Sequence, residues 1–346
     1  MSVRGVEVRA LDKADEARWD AFVATCPEAS FFHRAAWRDV IEDSFGKTCH
    51  FLYAERAGEI VGVLPLVHAK SRLFGNSLIS TGFTVGGGPA VVDTAAREAL
   101  DARAVALADS LDVDYLEYRT GTATHPGWSS KPDLYVLFKK EIDPDPEKNM
   151  QAIPRKQRAM VRKGIKAELR SVLDDDTERL FTIYAESVRN LGTPVVPPRY
   201  FRNLKRAFGH DCDIVTVLDG ERAVASVMNF YFRDTVLPYY GGGTAAARDV
   251  AGNDFMYWEV MRRAAERGFR VFDYGRSKRG TGAFAFKKNW GFEPTPLTYE
   301  FYLRRGTDIP DINPLNPKYR IFIAAWQRLP LALANRIGPL IARDLA

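Results

Sequence analysis

The chain has 346 residues, with 49 Lys or Arg against 44 Asp or Glu, a formal charge of +5 and 46% hydrophobic content. That balance excludes a disordered chain, and the length exceeds one typical core and suits two domains. No apolar run approaches the ~18–20 residues that cross a bilayer. Cysteines at 26, 49 and 212 form neither a disulfide framework nor a paired-cysteine metal motif. With no apolar signal segment at the N-terminus, the expected compartment is the reducing cytoplasm. The cationic excess favours anionic partners such as nucleotide phosphates, RNA or an acidic membrane surface.

Val6 to Leu11 alternates as a strand, and Asp12 or Asp15 can cap a helix carrying Trp19, Phe22 and Val23 at helical spacing. Phe31-Phe32-His33 leads into a second helix with Trp37, Val40 and Ile41; His33 reads as a cleft residue or as a packed surface histidine. A hairpin follows, His50–Ala54 and Ile60–Val67 around Ala57-Gly58. A short strand at 77–80 runs into Gly86-Gly87-Gly88, then come a helix over 94–109 and the strand Asp114–Arg119. This order describes an α/β domain with a mixed sheet.

Prolines 144 and 146 suggest a boundary at 141–148. Beyond it, residues 155–170 hold seven Lys or Arg against the single Glu168. Arg155, Arg158, Arg162 and Lys166 step by three, four and four, which places them along one helix face. Such a face is either solvated or a wall toward a polyphosphate or RNA backbone, where each charge adds salt-sensitive attraction. Gly164 is expected to weaken or end that helix.

From 174 the same order of elements returns: two helices, a hairpin around Asp219-Gly220, a strand running into Gly241-Gly242-Gly243, a helix over 254–267 and a strand over 269–274. The glycine triplets lie 155 residues apart, and Glu117-Tyr118 and Asp273-Tyr274 lie 156 apart. Two landmarks at nearly one offset indicate a tandem duplication. The copies differ before the last helix. The second has Arg248-Asp249-Val250-Ala251-Gly252-Asn253, with Asn253 the expected cap and a helix start suited to an anion.

The second copy closes with Asp273-Tyr274-Gly275-Arg276-Ser277-Lys278-Arg279-Gly280, then Phe284 to Phe292, in which aromatics flank Lys287 and Lys288. Glycines let a backbone approach a ligand, and aromatics can pin the cationic segment, expected as a loop between strands. Lys287, supported by Lys288 or Arg276, is the candidate cation for a carbonyl oxygen or phosphate, and Asp273 the candidate proton acceptor. Asp273 reads equally as a strand-end acid paired with Arg276. The five histidines lack metal-ligand spacing, so no metal is expected, and no cysteine or serine sits in a nucleophile pattern.

Phe32-His33-x3-Trp37, Pro154-Arg155-Lys156-x-Arg158-x3-Arg162-Lys163-Gly164, Arg248 to Trp258, Asp273 to Ser277, Phe286-Lys287-Lys288-x-Trp290-Gly291-Phe292 and Asn313 to Tyr319 occur in the order in which the chain resembles the FemAB-like family. These are tandem GNAT-fold acyl or aminoacyl transferases, and the nearest likeness is to the subgroup tied to PEP-CTERM/exosortase and exopolysaccharide loci. The resemblance implies two GNAT-like domains, 1–145 (an inactive copy on the acceptor side) and 146–306 (the active copy), then a helical tail, 307–346. It implies transfer of an acyl or aminoacyl group onto an amine in cell-envelope or exopolysaccharide synthesis. The donor would be acyl-CoA or aminoacyl-tRNA and the acceptor a small molecule or glycan. The family's lysine role falls on Lys287; from the residue reading above, the candidate donor contacts are Arg276 and Lys288 beside it, Arg248, Gly252 and Asn253 at the helix start, and Arg158 and Arg162 on the basic face. There is no long helical arm in the second domain, since only residues 192–209 are available for one, and the standard acyl-CoA loop is not matched at Arg248. Two other readings stand beside it: an acyl-CoA-dependent N-acetyltransferase on an amino sugar, and a non-catalytic scaffold binding a glycan or RNA intermediate. In the tail, Ile321, Phe322, Trp326, Leu333 and Leu340 alternate with arginines, and Pro330 and Pro339 should break it into short helices. The tail either packs back on the protein or touches the inner membrane peripherally.

Overall fold

The computed structural model describes residues 5–71, 74–306, 309 and 317–345, with only the backbone described for 133–134 and 317–319. Asn313 to Asn316 of the expected tail motif lie outside the described residues. The chain forms two compact units: residues 1–134 with 296–311 and 343–346, and residues 135–295 with 312–342.

In the first unit, β1 (Glu7–Ala10), α1 (Glu16–Thr25), α2 (Trp37–Phe45), β2 (Thr48–Arg56), β3 (Glu59–Ser71), β4 (Gly75–Ser80), β5 (Ala90–Val91), α3 (Thr94–Ser110) and β6 (Tyr115–Thr120) follow in order. β1, β2, β3 and β4 pair antiparallel in succession, while β4 lies parallel to β6. The remaining neighbour of β6 comes from far along the chain: residues 294–303, β13 in chain order, pair antiparallel with it from Thr298 against Thr120 to Leu303 against Tyr115. Leu52, Leu64, Leu66, Leu78, Leu100, Leu116 and Tyr118 make the core between this sheet and α3.

His33 is 3% exposed, so it is no surface histidine. Its Nδ1 accepts from the Ser30 N–H at 3.1 Å and its Nε2 lies 3.1 Å from the Gly88 carbonyl. The Phe-His motif therefore ties the glycine loop to the entry of α2. A second polar knot sits in the connection that follows β6. There His125 lies between Asp101 (2.9 Å) and the buried Glu300 (3.2 Å) and stacks on Trp128.

The second unit runs through β7 (Ser129–Glu141, from Tyr135 on), α4 (Pro146–Ala152), α5 (Arg155–Lys166), β8 (Arg170–Leu173), α6 (Glu178–Asn190), α7 (Pro198–Phe208), β9 (Cys212–Asp219), β10 (Arg222–Phe232), β11 (Thr235–Gly243), α8 (Ala245–Asp249), α9 (Gly252–Glu266), β12 (Val271–Lys278) and α10 (Gly282–Asn289). Its sheet repeats the first: β8, β9, β10 and β11 are antiparallel in succession, β11 is parallel to β12, and β7 closes the other side of β12. Val136, Phe138, Val217, Val227, Met256, Trp258, Phe272, Trp290 and Phe292 form its core. The tail adds α11 (Pro317–Gln327) and α12 (Leu331–Ala342) to this unit. Trp326 and Ala334 are buried, whereas Ile321 is 83% exposed. Pro330 separates these helices, but Pro339 sits inside α12.

Gly164 does not end the basic helix, which continues to Lys166. A Cβ at Gly164 would stand 2.8 Å from the Cβ of Phe255 on α9. The glycine is there for close approach of two helices. Gly164→Ala should therefore lower stability, because overpacking (typically about 1–3 kcal/mol) outweighs the ~1 kcal/mol helix-propensity gain. Calorimetric melting checks this.

His125 yields a pH signature. Burial opposes its charge, but hydrogen bonds and attraction from Asp101 and Glu300 overcome that and push its pKa up to about 9. A raised folded-state pKa stabilises fully below the ordinary value of about 6.5 and is lost as pH rises through about 9. Wild-type melting temperature should fall over that window, and His125→Gln should flatten the fall.

Candidate functional site

The second unit's parallel ladder is short: Thr235 faces Val271 and Val236 faces Phe272. Just past it both strands carry an irregularity. On β11 the register against β10 shifts between Met228–Tyr240 and Asn229–Pro238, which leaves Tyr239 as the extra residue. On β12 the register against β7 shifts between Asp273–Lys139 and Arg276–Leu137, so Tyr274 and Gly275 oppose Phe138 alone. Bulges at matching levels bend strands and take carbonyls out of the ladder. Gly275 has φ +67°, the left-handed region that a side chain would disfavour.

Lys287 occupies this break. The segment expected as a loop is a helix, α10, capped by the Thr281 side chain, which accepts the Phe284 N–H. The missed signal is Thr281-Gly282 followed by a stretch with no residue hostile to a helix. Lys287 lies in the last turn of α10 and its Nζ donates to the carbonyls of Arg276 (2.9 Å) and Gly275 (3.3 Å), 5.8 Å from the Phe138 ring centre. An ammonium has three N–H donors, so one remains for a ligand. Burial lowers its pKa to about 8; Asp273 pulls it up and Arg276 pushes it down.

Asp273 is part-buried and accepts the Gly275 N–H at 2.7 Å. Burial raises its pKa, against the Gly275 bond and the positive charges of Lys139 and Lys287. Arg276 holds its guanidinium 4.7 Å over the Tyr135 ring. Lys287, Asp273 and Arg276 are thus gathered around Gly275, whereas Lys288 is exposed on the next position of α10.

The remaining candidates sit on other elements of the same unit. Arg248 is exposed at the end of α8. The cap of α9 is Ala251, in the left-handed conformation at φ 57°, so Asn253 is not the cap but lies within the first turn after Gly252. Arg158 and Arg162 lie on α5, in a groove of about 470 Å³.

What the sequence reading missed is the anchor. Asp254, buried on α9, accepts from Trp290 Nε1 at 3.1 Å and from Gln157 Nε2 of α5. Burial raises its pKa against those two bonds. This single oxygen ties α5, α9 and the end of α10 together, which fixes the helix that delivers Lys287. The available signal was the buried stripe Gln157, Val161 and Gly164 at helical spacing on an otherwise cationic helix. Tyr274, whose buried hydroxyl has no hydrogen-bond partner among the described residues, packs edge-on against Tyr257, Trp290 and Phe292 beneath the break. Among the described residues no group of three or more His, Cys, Asp or Glu could hold a metal ion. No helix among them is long and apolar enough to cross a membrane.

Residues 148–288 match the family model described as acetyltransferase (GNAT) domain. No curated protein matches the chain in sequence. Among solved structures, FemX is 16% identical, covers 84% of this chain and 96% of its own, and has a TM-score of 0.65. A tandem GNAT protein from the clavulanic acid biosynthesis pathway is 16% identical over 88% of this chain and 100% of its own, at 0.55. The C-terminal domain of a putative lysylphosphatidylglycerol synthetase from Agrobacterium fabrum is 14% identical over 83% and 91%, at 0.56. At these identities the likeness is one of fold: a mixed α/β, tandem GNAT-like architecture.

The environment of Lys287 predicts a stability effect. Its folded pKa of about 8 lies below the ordinary 10.5, so between those values the unfolded chain binds more protons and stability rises with pH. Denaturant titrations of Lys287→Met should lack that rise; an identical slope in both proteins would contradict the buried ammonium.

Proposed function

We propose that the second GNAT-like domain expected from the sequence, residues 146–306, moves an acyl or aminoacyl group onto an amine in bacterial cell-envelope or exopolysaccharide synthesis. The observation that carries this reading is the Lys287 ammonium, fixed by two carbonyls at the strand break with one donor to spare. In R–CO–X plus R′–NH₂, the neutral amine forms the C–N bond as the carbonyl oxygen gains charge. The third Lys287 N–H stabilises that oxygen from a pre-set position. Asp273, made more basic by burial, takes the proton lost by nitrogen and hands it to X as the C–X bond breaks.

Arg276 and Lys288 flank the donor, and Arg248, Gly252 and Asn253 bring cationic and backbone N–H groups to the start of α9 for its phosphates. Donors fitting this chemistry are an acyl-CoA thioester and an aminoacyl-tRNA ester, with a small molecule or glycan as acceptor. The motif order from Phe32 to Trp290 aligns the chain with FemAB-like proteins of the PEP-CTERM-associated kind. The acetyltransferase family match favours, as second reading, an acyl-CoA-dependent N-acetyltransferase on an amino sugar. The first copy is read as inactive, because Glu117, the counterpart of Asp273, is held at 2.8 Å by buried Arg119. The protein is assigned to the cytoplasm, with exposed Ile321, Phe322 and Leu340 offering peripheral contact with the inner membrane.

Turnover is measured with acetyl-CoA and with an aminoacylated RNA minihelix as donors and hydroxylamine as acceptor. Lys287→Met should lower kcat about 10²–10³-fold, the usual effect of deleting one oxyanion donor. Asp273→Asn should lower it about 10²–10⁴-fold, and both variants should melt cooperatively. Unchanged turnover in both variants would remove the assignment.

A further inference from the structure

From the packing of the tail we infer that α11 and α12 form a strap that positions the bulge at Tyr239 and, through it, the Gly275 carbonyl that holds Lys287. Only what Lys287 does rests on the acyl-transfer reading; the strap is a matter of packing within the second unit. The tail meets the connection between α6 and α7 at two glycines. Gly192, with φ +81°, follows α6 directly, and a Cβ on it would stand 2.4 Å from Ile323 Cγ2 of α11. Gly338 of α12 lies so close to Val195 that a Cβ there would stand 2.9 Å from the Val195 backbone nitrogen. The ends of α6 and α11 also hold each other: Arg189 donates to the Gln327 carbonyl and Gln327 Nε2 to the Asn190 carbonyl, both at 3.1 Å. Leu331 packs against the cluster of Ala185, Val188 and Val195. A helix pair that only covered apolar surface would need side-chain contact alone, whereas glycine at both crossings brings backbone into the contact and fixes one seat.

The elements that the strap clamps lead to the strand break. α6 lies on β11, where Ser187 fills the space a side chain on Gly242 would need: a Cβ there would stand 2.6 Å from the Ser187 Cβ. Tyr184 of α6 packs edge-on against Tyr240 of β11 and Phe201 of α7, with ring centres 6.0 and 5.3 Å apart. The hydroxyls of Tyr200, on α7, and buried Tyr240 share a hydrogen bond of 2.7 Å. Tyr239, the extra residue of the β11 bulge, packs edge-on against Tyr240 at 4.7 Å. Its ring also reaches Gly275, where a Cβ would stand 4.0 Å from Tyr239 Cε2.

The bulge explains why a strap matters here. A bulged residue has no ladder partner, so the side chains around Tyr239 set its place. Gly275 lies in a register shift of its own and in the left-handed region, so it too is held by its neighbours more than by the ladder. Its carbonyl is one of the two that fix the Lys287 ammonium. A displacement of about 1 Å at a reacting group can lower turnover about 10²-fold. The seat of the tail therefore bears on the centre from outside it, as a positioning element.

The test uses the full-length protein in two loosened forms. Gly338→Ala adds one methyl group against the Val195 backbone, and Ile323→Ala with Leu331→Ala removes side chains and adds none. Ile323→Val is the conservative counterpart, and Leu333→Ser, at an exposed position of α12, is the control. Amide hydrogen exchange over 191–196 and 236–241 should quicken at least about tenfold in both loosened proteins, with cooperative melting kept. Their kcat in the turnover assay should fall about 10–10²-fold, with the KM for acetyl-CoA unchanged. The rise in stability that Lys287 supplies above about pH 8 should shrink, because water reaching the ammonium moves its pKa back toward 10.5. Ile323→Val and Leu333→Ser should match wild type in all three readouts. Unchanged exchange in both loosened proteins, or faster exchange with an unaltered pH slope, overturns the inference and leaves the tail as mere cover. Faster exchange and a reduced pH slope, combined with unimpaired turnover of Lys287→Met, would instead leave the strap standing and remove the proposed centre.

Discussion

A positive charge held against backbone carbonyls, away from most of its water, is the contact on which the second unit's centre depends. An ammonium there is tolerable because Gly275 and Arg276 present oxygens that the bulge has released from the ladder, and because Asp273 offsets part of the charge. Each condition traces to local sequence. Gly275 supplies the left-handed φ, Asp273 closes the turn onto the Gly275 N–H, and Thr281 starts α10 so that Lys287 falls in its final turn.

The two units show what happens when one frame meets different side chains. In the first, the position two residues after the acid is Arg119, whose guanidinium binds Glu117 and the Thr84 carbonyl. The ion pair is internal and closed. In the second the same position is Gly275, which brings no charge, so the cation arrives from a separate helix and retains a donor. An arginine presents several fixed donors and is readily consumed by its surroundings, whereas a lysine at the end of a helix presents a compact charge.

Much of this was legible in the chain because it depends on local pattern. The α5 face and the two hairpins follow from helical spacing and from the turns at Ala57-Gly58 and Asp219-Gly220. The equal offsets of 155 and 156 residues revealed two copies of one topology before any contact was known. Three things were not legible. β7 and β13 carry mixed polar and apolar residues whose meaning comes only from strands distant in sequence. Asp254 looked like an ordinary first-turn acid until Gln157 and Trp290 were seen to share its oxygen. Gly164 looked like a breaker, and only Phe255 explains it. Strand pairing and side-chain burial between separate elements are long-range properties that a one-dimensional pattern does not encode.

The recruitment of residues 296–303 into the first unit bears on how the molecule is made. A ribosome that has released the first 145 residues has produced β6 but neither the strand that covers its open edge nor Glu300, the carboxylate that receives the Thr124 and His125 amides. The second unit's strands must emerge before that edge can close, although domains released in order often fold as they appear. An unpaired edge is a template for strangers, so the nascent protein faces its greatest risk of misassociation during synthesis of its own second half.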